Sequence, residues 1–331
     1  MPRREGSIVS FDLDFERPLA RLDEQIQSLL RRADRLTDDQ HRQLESLRSE
    51  LERHTDALYS TLTPWQRVQV SRHRQRPHTA DYVKSCFDDF FELRGDRRFA
   101  DDRSILAGLA SLGGRTVMLI GHEKGRDTKE RQECNFGCPH PEGYRKAQRL
   151  LLQAERLHLP VVTLIDTQGA FPGLEDEERG QAEAIAENLM VMARLRTPIV
   201  CVVIGEGGSG GALAIGVGDR LLMLRNAYYT VAAPEAAASI LWRDANKAPE
   251  AAAAMKITAP DLLDYGLIDR IVEEPRGGAH RDWRAAADLL RVALVDELEA
   301  LMELPLIELL ARRDTRLRNL GAFTREPALV K

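Results

Sequence analysis

A glycine-rich segment, Gly205–Gly211, holds the residues whose types and spacing point most directly to chemistry. It has five glycines in seven positions and follows an apolar, β-branched run that predicts a buried strand. Because glycine lacks a Cβ, backbone amides here can approach a ligand closely. The small residues that follow predict a helix, whose first N–H groups are unpaired and attract negative charge. The segment therefore predicts an anion or oxyanion site, whose candidate donors are the backbone amides of Gly207, Gly208, Gly210, Gly211 and Ala212.

A second strand–loop–helix unit precedes the first. Pro160–Gly173 is another β-branched run that ends in a loop with glycine and proline, and Glu175–Leu195 has apolar residues at helical spacing. Acidic residues gather at the start of that helix, where the dipole favours them. Two such units predict two backbone-amide pockets side by side.

The same glycines also match the dinucleotide fingerprint G-x-G-x-x-G. Gly205, Gly207 and Gly210 have the required spacing between a predicted strand and helix. The fingerprint needs an acidic residue after the next strand, where Arg225 and Asn226 stand. The missing acid argues against a dinucleotide site.

A serine hydrolase is the alternative that the residues leave open. Gly207, Ser209 and Gly211 fit the G-x-S-x-G elbow, again between strand and helix. A triad then needs an acid and a histidine further along the chain. His280 is the one histidine after Ser209 in the sequence. The candidate acids are Asp261, Asp264 and Asp269.

Basic residues follow a predicted strand in the run Lys124–Arg131. A solvated loop is the simpler interpretation, and attraction of a carboxylate, a phosphate or an acidic carrier surface is the functional one. Further on, Cys134, Cys138 and His140 offer three zinc ligands, but their spacing is unusual and no fourth ligand is apparent. Free thiols are the preferred interpretation, and no metal is predicted on this chain.

Composition limits the remaining classes of function. The chain has 331 residues with a net charge of −5, which argues against a nucleic-acid partner. Its four cysteines without a disulfide framework, and an amino terminus without an apolar signal segment, predict a cytoplasmic protein. Thr197–Gly218 has the length of a membrane span but contains seven glycines and Glu206, so no membrane association is predicted.

The elements that must position these loops alternate as strands and helices, which predicts an α/β body. Residues 1–75 contain two predicted helices that break near Thr37–Asp39 and form a helical arm for assembly. Residues 76–275 form the body, with a helix over Asp81–Leu93 and a hairpin that turns at Gly113-Gly114. Residues 276–331 form a helical C-terminal region.

Six blocks of sequence in order resemble one family. They are RPHTADYVKSCFDDFFELRGDR, IGHEKGRDTKE, Asn135–Ala147, GAFPG with the acidic helix after it, IGEGGSGGALAIGVGDR and the segment from Pro234 to Ala252. Together they resemble the α subunit of bacterial acetyl-CoA carboxylase carboxyltransferase over residues 10–320. The resemblance implies a crotonase-like fold of ββα superhelical repeats, with an N-terminal helical hairpin and C-terminal helices.

The resemblance also implies the activity and its partners. Two α and two β chains share an active site, in which α forms the carboxybiotin side and β supplies the acetyl-CoA pocket and a zinc ribbon. Biotin arrives on a biotin carboxyl carrier protein, after an ATP-dependent biotin carboxylase has loaded it. Carboxyl transfer then gives malonyl-CoA for fatty acid synthesis.

Carried onto this chain, the resemblance makes the glycine amides an oxyanion hole for biotin. The residues expected to contact substrate are Gly169, Ala170, Phe171, Gly173, Ser209, Lys124 and Arg126. Gln168, Phe171 and Ala236 depart from the family pattern, which has proline, tyrosine and glycine there. Because Gln168 replaces a proline, it frees φ and adds a backbone N–H.

Overall fold

The computed structural model describes residues 11–31 and 37–321. Its strands are β1 (Asp88–Glu92), β2 (Ile105–Leu112), β3 (Arg115–His122), β4 (Val161–Thr167), β5 (Ile199–Gly208), β6 (Arg220–Leu224), β7 (Tyr228–Thr230) and β8 (Arg270–Val272). They form one sheet in the order β1-β2-β3-β4-β5-β6-β8, and β7 pairs with the end of β5 beyond β6. Strands β3 to β6 and β8 run parallel, whereas β1, β2 and β3 pair antiparallel.

Helices surround this sheet. They are α1 (Arg17–Arg31), α2 (Asp38–Ser60), α3 (Pro64–Ser71), α4 (Thr79–Cys86), α5 (Thr128–Glu133), α6 (Pro141–Arg156), α7 (Leu174–Glu178), α8 (Gln181–Arg194), α9 (Ser209–Leu213), α10 (Pro234–Trp242), α11 (Ala248–Met255), α12 (Ala259–Asp264), α13 (Trp283–Met302) and α14 (Leu306–Arg318). The α/β architecture predicted from the alternating pattern is confirmed.

The central strands are covered on both faces. Every residue of β4 and of β5 is buried, which explains why both read as continuous apolar runs rather than alternating ones. Thr197–Gly218 therefore contains β5 and α9. None of the helices that the structure describes has the length and apolar character needed to cross a membrane.

Two sequence predictions fail at local detail. The helix expected over Asp81–Leu93 ends at Cys86, and Asp88–Glu92 pairs with β2 instead, because tertiary pairing outweighs helical periodicity. The helix expected over Glu175–Leu195 is divided into α7 and α8 at Gly180, whose φ of 81° is left-handed and leaves the helical region.

The predicted hairpins are both present. Gly113 and Gly114 turn the chain between β2 and β3 with positive φ values, as a two-residue hairpin turn requires. Helix α1 packs against α2, and the Tyr59 hydroxyl donates to Glu16 Oε1 at 2.7 Å, which ties the end of one to the start of the other. Thr37 caps α2 within the predicted break. A role of this arm in assembly stays a prediction, as do the limits of the three regions.

Buried charge fastens the last helix to the body. Arg313 in α14 bonds to Asp219 Oδ2 at 2.6 Å and donates to the carbonyl oxygens of Leu195 and Thr197 at 2.6 and 2.7 Å. Two further bonds, to Asp219 Oδ1 and to the Met192 carbonyl oxygen in α8, use the remaining donors of the guanidinium. The C-terminal helices are in this way tied to the strand that leads into the glycine-rich segment.

Candidate active site

Two glycine-containing segments lie against each other at the carboxyl ends of β4 and β5. One is the loop after β4, and the other, Gly205–Gly211, forms the end of β5 and the first turn of α9. Thr167 pairs with Gly207 across the two strands. A Cβ on Gly208 would lie 2.0 Å from the carbonyl oxygen of Gln168, and a Cβ on Gly211 would lie 2.5 Å from the carbonyl carbon of Gly169. Glycine is required at both positions because the backbone of the neighbouring loop fills the space. The prediction that the loops are adjacent is confirmed.

Helix α9 begins with a strained turn. Ser209 has a φ of 52°, which is uncommon for a residue with a Cβ, and its side chain is exposed. The amides of its first turn have no intrahelical acceptor, and no side chain among the described residues caps them. A Cβ on Gly210 would meet only the Ile185 side chain, at 3.7 Å. Gly210 thus marks the open side of the turn, and Ala212 is buried behind it.

Contacts with α6 and α8 hold the loop that follows β4. The N–H of Phe171 donates to the carbonyl oxygen of Pro139 at 3.1 Å, and the amide of Gln181 donates to the carbonyl oxygens of both residues. The rings of Phe171 and His140 lie 4.9 Å apart. At the end of the loop, Gly173 is the N-cap residue of α7. Ala170, which has a half-buried side chain, packs in a small apolar cluster beside α9.

A buried ion network lies directly beneath the two loops. The Lys124 ammonium is 2.6 Å from Asp166 Oδ1 and 2.8 Å from Glu206 Oε2. Asp166 also accepts the N–H of Glu206 at 2.9 Å, which joins the ends of β4 and β5. Arg72 bonds to Glu206 Oε1 at 2.5 Å, and the Tyr228 hydroxyl donates to the same oxygen at 2.7 Å. Five side chains from five different segments thus form one network.

In this network, neighbouring charges affect the pKa values of Glu206 and Lys124 more than burial does. Burial alone would raise the pKa of Glu206, but the charges of Lys124 and Arg72 lower it to about 2. Burial likewise opposes the charged form of Lys124, yet Asp166 and Glu206 raise its pKa above the ordinary value. Both groups therefore stay ionised around neutral pH. The positive charge of Lys124 is balanced by carboxylates of this chain.

Sequence reasoning missed most of this network. Asp166 and Glu206 each stand at the end of a fully buried strand, immediately before a glycine-containing loop. A charged residue there is a usable signal, since an isolated buried charge is too costly to keep without a partner. Arg72 and Tyr228 gave no such signal, because only the tertiary fold brings α3 and β7 to β5.

A cavity of about 170 Å³ opens beside the network and the loop after β4. Its walls come from the α3–α4 connection, the segment around α5 and the ends of β4 and β5. The lining residues are Ser71, Arg72, His73, Arg74, His78, Lys124, Arg131, Phe136, Gln168 and Glu206. The substrate role of Lys124 stays a prediction, but its side chain reaches this cavity.

Known proteins identify the family. The family model described as acetyl co-enzyme A carboxylase carboxyltransferase-like matches residues 12–321. The acetyl-coenzyme A carboxylase carboxyl transferase subunit alpha of Methylococcus capsulatus is 55% identical over 96% of this chain and 98% of its own length. Those of Stenotrophomonas maltophilia and Bordetella pertussis are 53% and 55% identical over 94% of this chain, and over 98% and 97% of their own lengths. The chain belongs to this family.

Solved structures share the fold of this chain. Transcarboxylase 12S, solved with methylmalonyl-coenzyme A bound, matches with a TM-score of 0.53 and 19% identity over 66% of this chain and 42% of that chain. A Pseudomonas malonate decarboxylase hetero-tetramer in complex with coenzyme A matches with a TM-score of 0.53 and 22% identity over 67% of this chain and 92% of that chain. The predicted crotonase-like fold is confirmed.

Arg126, predicted as a substrate contact, is engaged within the protein. It donates to the carbonyl oxygens of Arg74 and Arg76 at 3.1 and 3.0 Å, bonds to Asp81, and lies 4.6 Å from the centre of the Trp283 ring. These contacts fix the α3–α4 connection that lines the cavity. A direct contact with substrate stays a prediction.

Two of the residues that depart from the family pattern, Ala236 and Gln168, are accommodated by their surroundings in the structure. Ala236 is exposed in α10, so no close backbone approach requires glycine there. The N–H that Gln168 adds faces the Cys138 sulfur, whose thiol pKa is raised by burial despite this contact. Burial also raises the pKa of the Cys134 thiol to about 12. Neither cysteine forms a disulfide.

One group of side chains has metal-ligand geometry. His140, Glu142 and Asp176 bring their ligand atoms within 4.8 Å of one another. Arg179 bonds to Glu142 Oε1 at 2.5 Å and to Asp176 Oδ1 at 3.1 Å, and His140 Nδ1 lies 2.5 Å from the same Asp176 oxygen. The guanidinium hydrogen-bonds to both carboxylates and offsets one of their two negative charges, so both acids already have a partner within the protein.

The hydrolase alternative is not favoured. His280 is buried with its ring against that of His73, at 4.2 Å between centroids, and is not hydrogen-bonded to Ser209. Of the candidate acids, Asp261 caps α12 and Asp269 pairs with Arg316. His280, Asp261 and Asp269 therefore make structural contacts that do not include Ser209.

The His73–His280 stack predicts loss of stability below neutral pH. Burial and neighbouring arginines lower the pKa of His280 from 6.5 to about 2, and burial lowers that of His73 to about 4. As pH falls below 6.5, the unfolded chain binds protons that the folded chain does not, so the free energy of unfolding decreases. We expect His280→Phe to flatten this decrease between pH 6.5 and pH 5 in urea unfolding.

The matched control for this experiment is His54→Phe, at an exposed histidine of α2. It should leave the pH dependence as it is in the natural chain. An unchanged slope in His280→Phe would show that the stack does not govern this acid sensitivity.

Proposed function

We propose that this chain forms the carboxybiotin side of a carboxyltransferase that carboxylates acetyl-CoA to malonyl-CoA for fatty acid synthesis. The observation that carries the proposal is the close backbone contact between the loop after β4 and the end of β5. The uncapped first turn of α9 lies beside this contact. Family membership supports it, since the curated relatives are named for this activity.

When bound, carboxybiotin would supply the carboxyl group, and its ureido oxygen would carry negative charge until it takes up the proton that acetyl-CoA loses. The amides of Gly207, Gly208, Gly210, Gly211 and Ala212 are the proposed donors to that charge. The uncapped turn fits this task, because preorganised N–H groups stabilise a developing oxyanion strongly where water is excluded. The loop Gly169–Gly173 is the proposed wall of the same pocket, with Ser209 as a contact rather than a nucleophile.

A partner chain is part of the proposal. The β subunit would supply the acetyl-CoA pocket and a zinc ribbon, in an assembly of two α and two β chains. Val231, Ile240 and Leu241 are 78%, 76% and 64% exposed in and near α10, which also carries Glu235, a partner of Arg72. Exposed apolar side chains of this kind are typical of an interface. Biotin carboxyl carrier protein and an ATP-dependent biotin carboxylase complete the proposed cytoplasmic system.

A carboxyl-transfer assay run in reverse tests the proposal. The purified chain, with and without its β partner, is given malonyl-CoA and a biotin derivative, and acetyl-CoA is measured. We expect activity only when both chains are present, because neither chain holds the whole site. A well-folded complex without activity would contradict the proposed function.

Ser209→Ala is expected to retain most of this activity, within about threefold in kcat, because the backbone donors remain in place. The variant is assayed in the same complex, with circular dichroism as the check on folding. Complete loss of transfer in a folded complex would contradict the assigned role and restore the nucleophile hypothesis.

A further inference from the structure

A second concave surface lies outside the proposed active site. It is a groove of about 530 Å³ between α6 and the segment that follows β1. Its lining includes the arginines Arg97, Arg98, Arg145, Arg149 and Arg156. Arg156 is the last residue of α6, whereas His140, which contacts the loop after β4, precedes its first turn. The far end of the groove is therefore separated from that loop by the length of the helix.

The arginines of the groove lack salt-bridge partners within the described residues. None of the five forms a salt bridge with a carboxylate in residues 11–31 or 37–321, whereas other arginines, such as Arg313, are paired. Arg149 donates instead to the carbonyl oxygens of Gly95 and Arg94, at 3.1 and 3.2 Å. Hydrogen bonds of this kind orient a guanidinium but leave its net charge in place.

The guanidinium groups of the groove repel one another. Burial and the charge of Arg97 lower the pKa of Arg149 below its ordinary value. The acid of the lining, Asp96, is buried and uses Oδ1 to accept the N–H groups of Arg98, Phe99 and Ala100 at 2.9, 2.8 and 3.1 Å. Its carboxylate therefore shapes the segment that presents the arginines. The cost of this repulsion falls when an anion binds between them.

The shape and chemistry of the groove favour one class of ligand. Guanidinium groups match the oxygen geometry of phosphate with paired hydrogen bonds. The volume lies in the range of small-molecule sites, which argues for a small ligand over a flat protein surface. Leu152 and Leu157, exposed by 36% and 52%, add apolar contact area. We propose that this groove binds a small molecule that bears two or more phosphoryl groups.

Calorimetric titration of the full chain with inorganic pyrophosphate, at constant ionic strength, tests the proposal. Arg98→Gln/Arg156→Gln removes two exposed side chains that make no hydrogen bond within the described residues, so folding should be unaffected. Saturable binding is expected for the natural chain, weakened about tenfold or more in this variant. The control Arg48→Gln/Arg53→Gln removes the same charge from exposed positions on α2 and should change the affinity by less than about twofold.

Each other result overturns the proposal. Equal weakening by both double variants would mean attraction to overall charge rather than a site. Absence of saturable binding to the natural chain would exclude the phosphoryl ligand. Binding of a single-stranded RNA that pyrophosphate fails to displace, but that the groove variant abolishes, would assign the groove to nucleic acid instead.

Discussion

Gly211→Ala is expected to lower kcat for carboxyl transfer by about a hundredfold or more. The added Cβ would lie 2.5 Å from the carbonyl carbon of Gly169 and 2.6 Å from the backbone nitrogen of Ala170. Since those atoms belong to the backbone, one loop must move away from the other. The proposed donors and the proposed wall of the pocket then lose their relative placement. The measurement is the reverse transfer assay on the complex with the β partner.

Gly210→Ala is the matched control, one residue earlier in the same turn. Its Cβ would meet only the Ile185 side chain, at 3.7 Å, and the backbone amide remains. We expect its kcat to fall by less than about fivefold, because nothing has to move. Near-normal turnover in Gly211→Ala would show that the contact between the loops does not set the geometry of the site. Circular dichroism and urea unfolding separate a local shift from loss of the fold.

Lys124→Met is expected to produce the largest loss of stability, about 3–5 kcal/mol in the free energy of unfolding. The variant fills a similar volume but leaves Asp166 and Glu206 without the ammonium that lies 2.6 and 2.8 Å from them. Both carboxylates are buried, and removing one member of a buried ion network leaves uncompensated charge. Transfer activity should fall with it, because these acids join the ends of β4 and β5. Urea unfolding at neutral pH measures the stability loss.

Arg276→Met is the control for charge removal. Arg276 pairs with Asp56 and Glu52 at 2.8 and 2.9 Å, but all three side chains are about half exposed. Solvent screens such pairs, so we expect little change in stability. A loss in Lys124→Met no larger than in this control would show that the network beneath the loops is not a stabilising element.

A second variant distinguishes the two acids of the network. Glu206 is also held by Arg72 and Tyr228, so it keeps a cation and a hydroxyl donor when Lys124 is lost. Asp166 keeps only the backbone N–H of Glu206 among the contacts described above. Lys124→Met/Asp166→Asn should therefore recover part of the lost stability, since the amide removes the charge that remains unpaired. If the double variant does not regain stability, the loss in Lys124→Met arises from the unpaired charge of Glu206 instead.

Several features could be predicted because they depend on local chemistry. The strands of the two β-branched runs, the glycine turn at Gly113-Gly114 and the helix break near Thr37–Asp39 each follow from residue type and spacing. Each is present in the structure, where Thr37 caps α2. The density of glycine in Gly205–Gly211 also indicated close backbone approach. The structure shows what approaches Gly208 and Gly211, namely the loop after β4.

Other features required the tertiary structure. Asp88–Glu92 became a strand because β2 was available to pair with it, which no local pattern indicates. The charge on Lys124 was visible in the sequence. The carboxylates that pair with it, Asp166 in β4 and Glu206 in β5, are distant from Lys124 in the sequence. Arg72 and Tyr228 joined the same network only because α3 and β7 meet β5 in space.

The sequence by itself determined the family, the alternation of strands and helices, and the two loops that carry the proposed chemistry. These are properties of residue type and short-range spacing, which physical chemistry links directly to backbone conformation. Only the tertiary structure decided that the two glycine-containing segments contact each other and that buried ions support them. It also decided that five arginines share one groove without a salt-bridge partner among the described residues. Such features depend on distances between segments far apart in the chain, and these distances are set by packing of the whole fold.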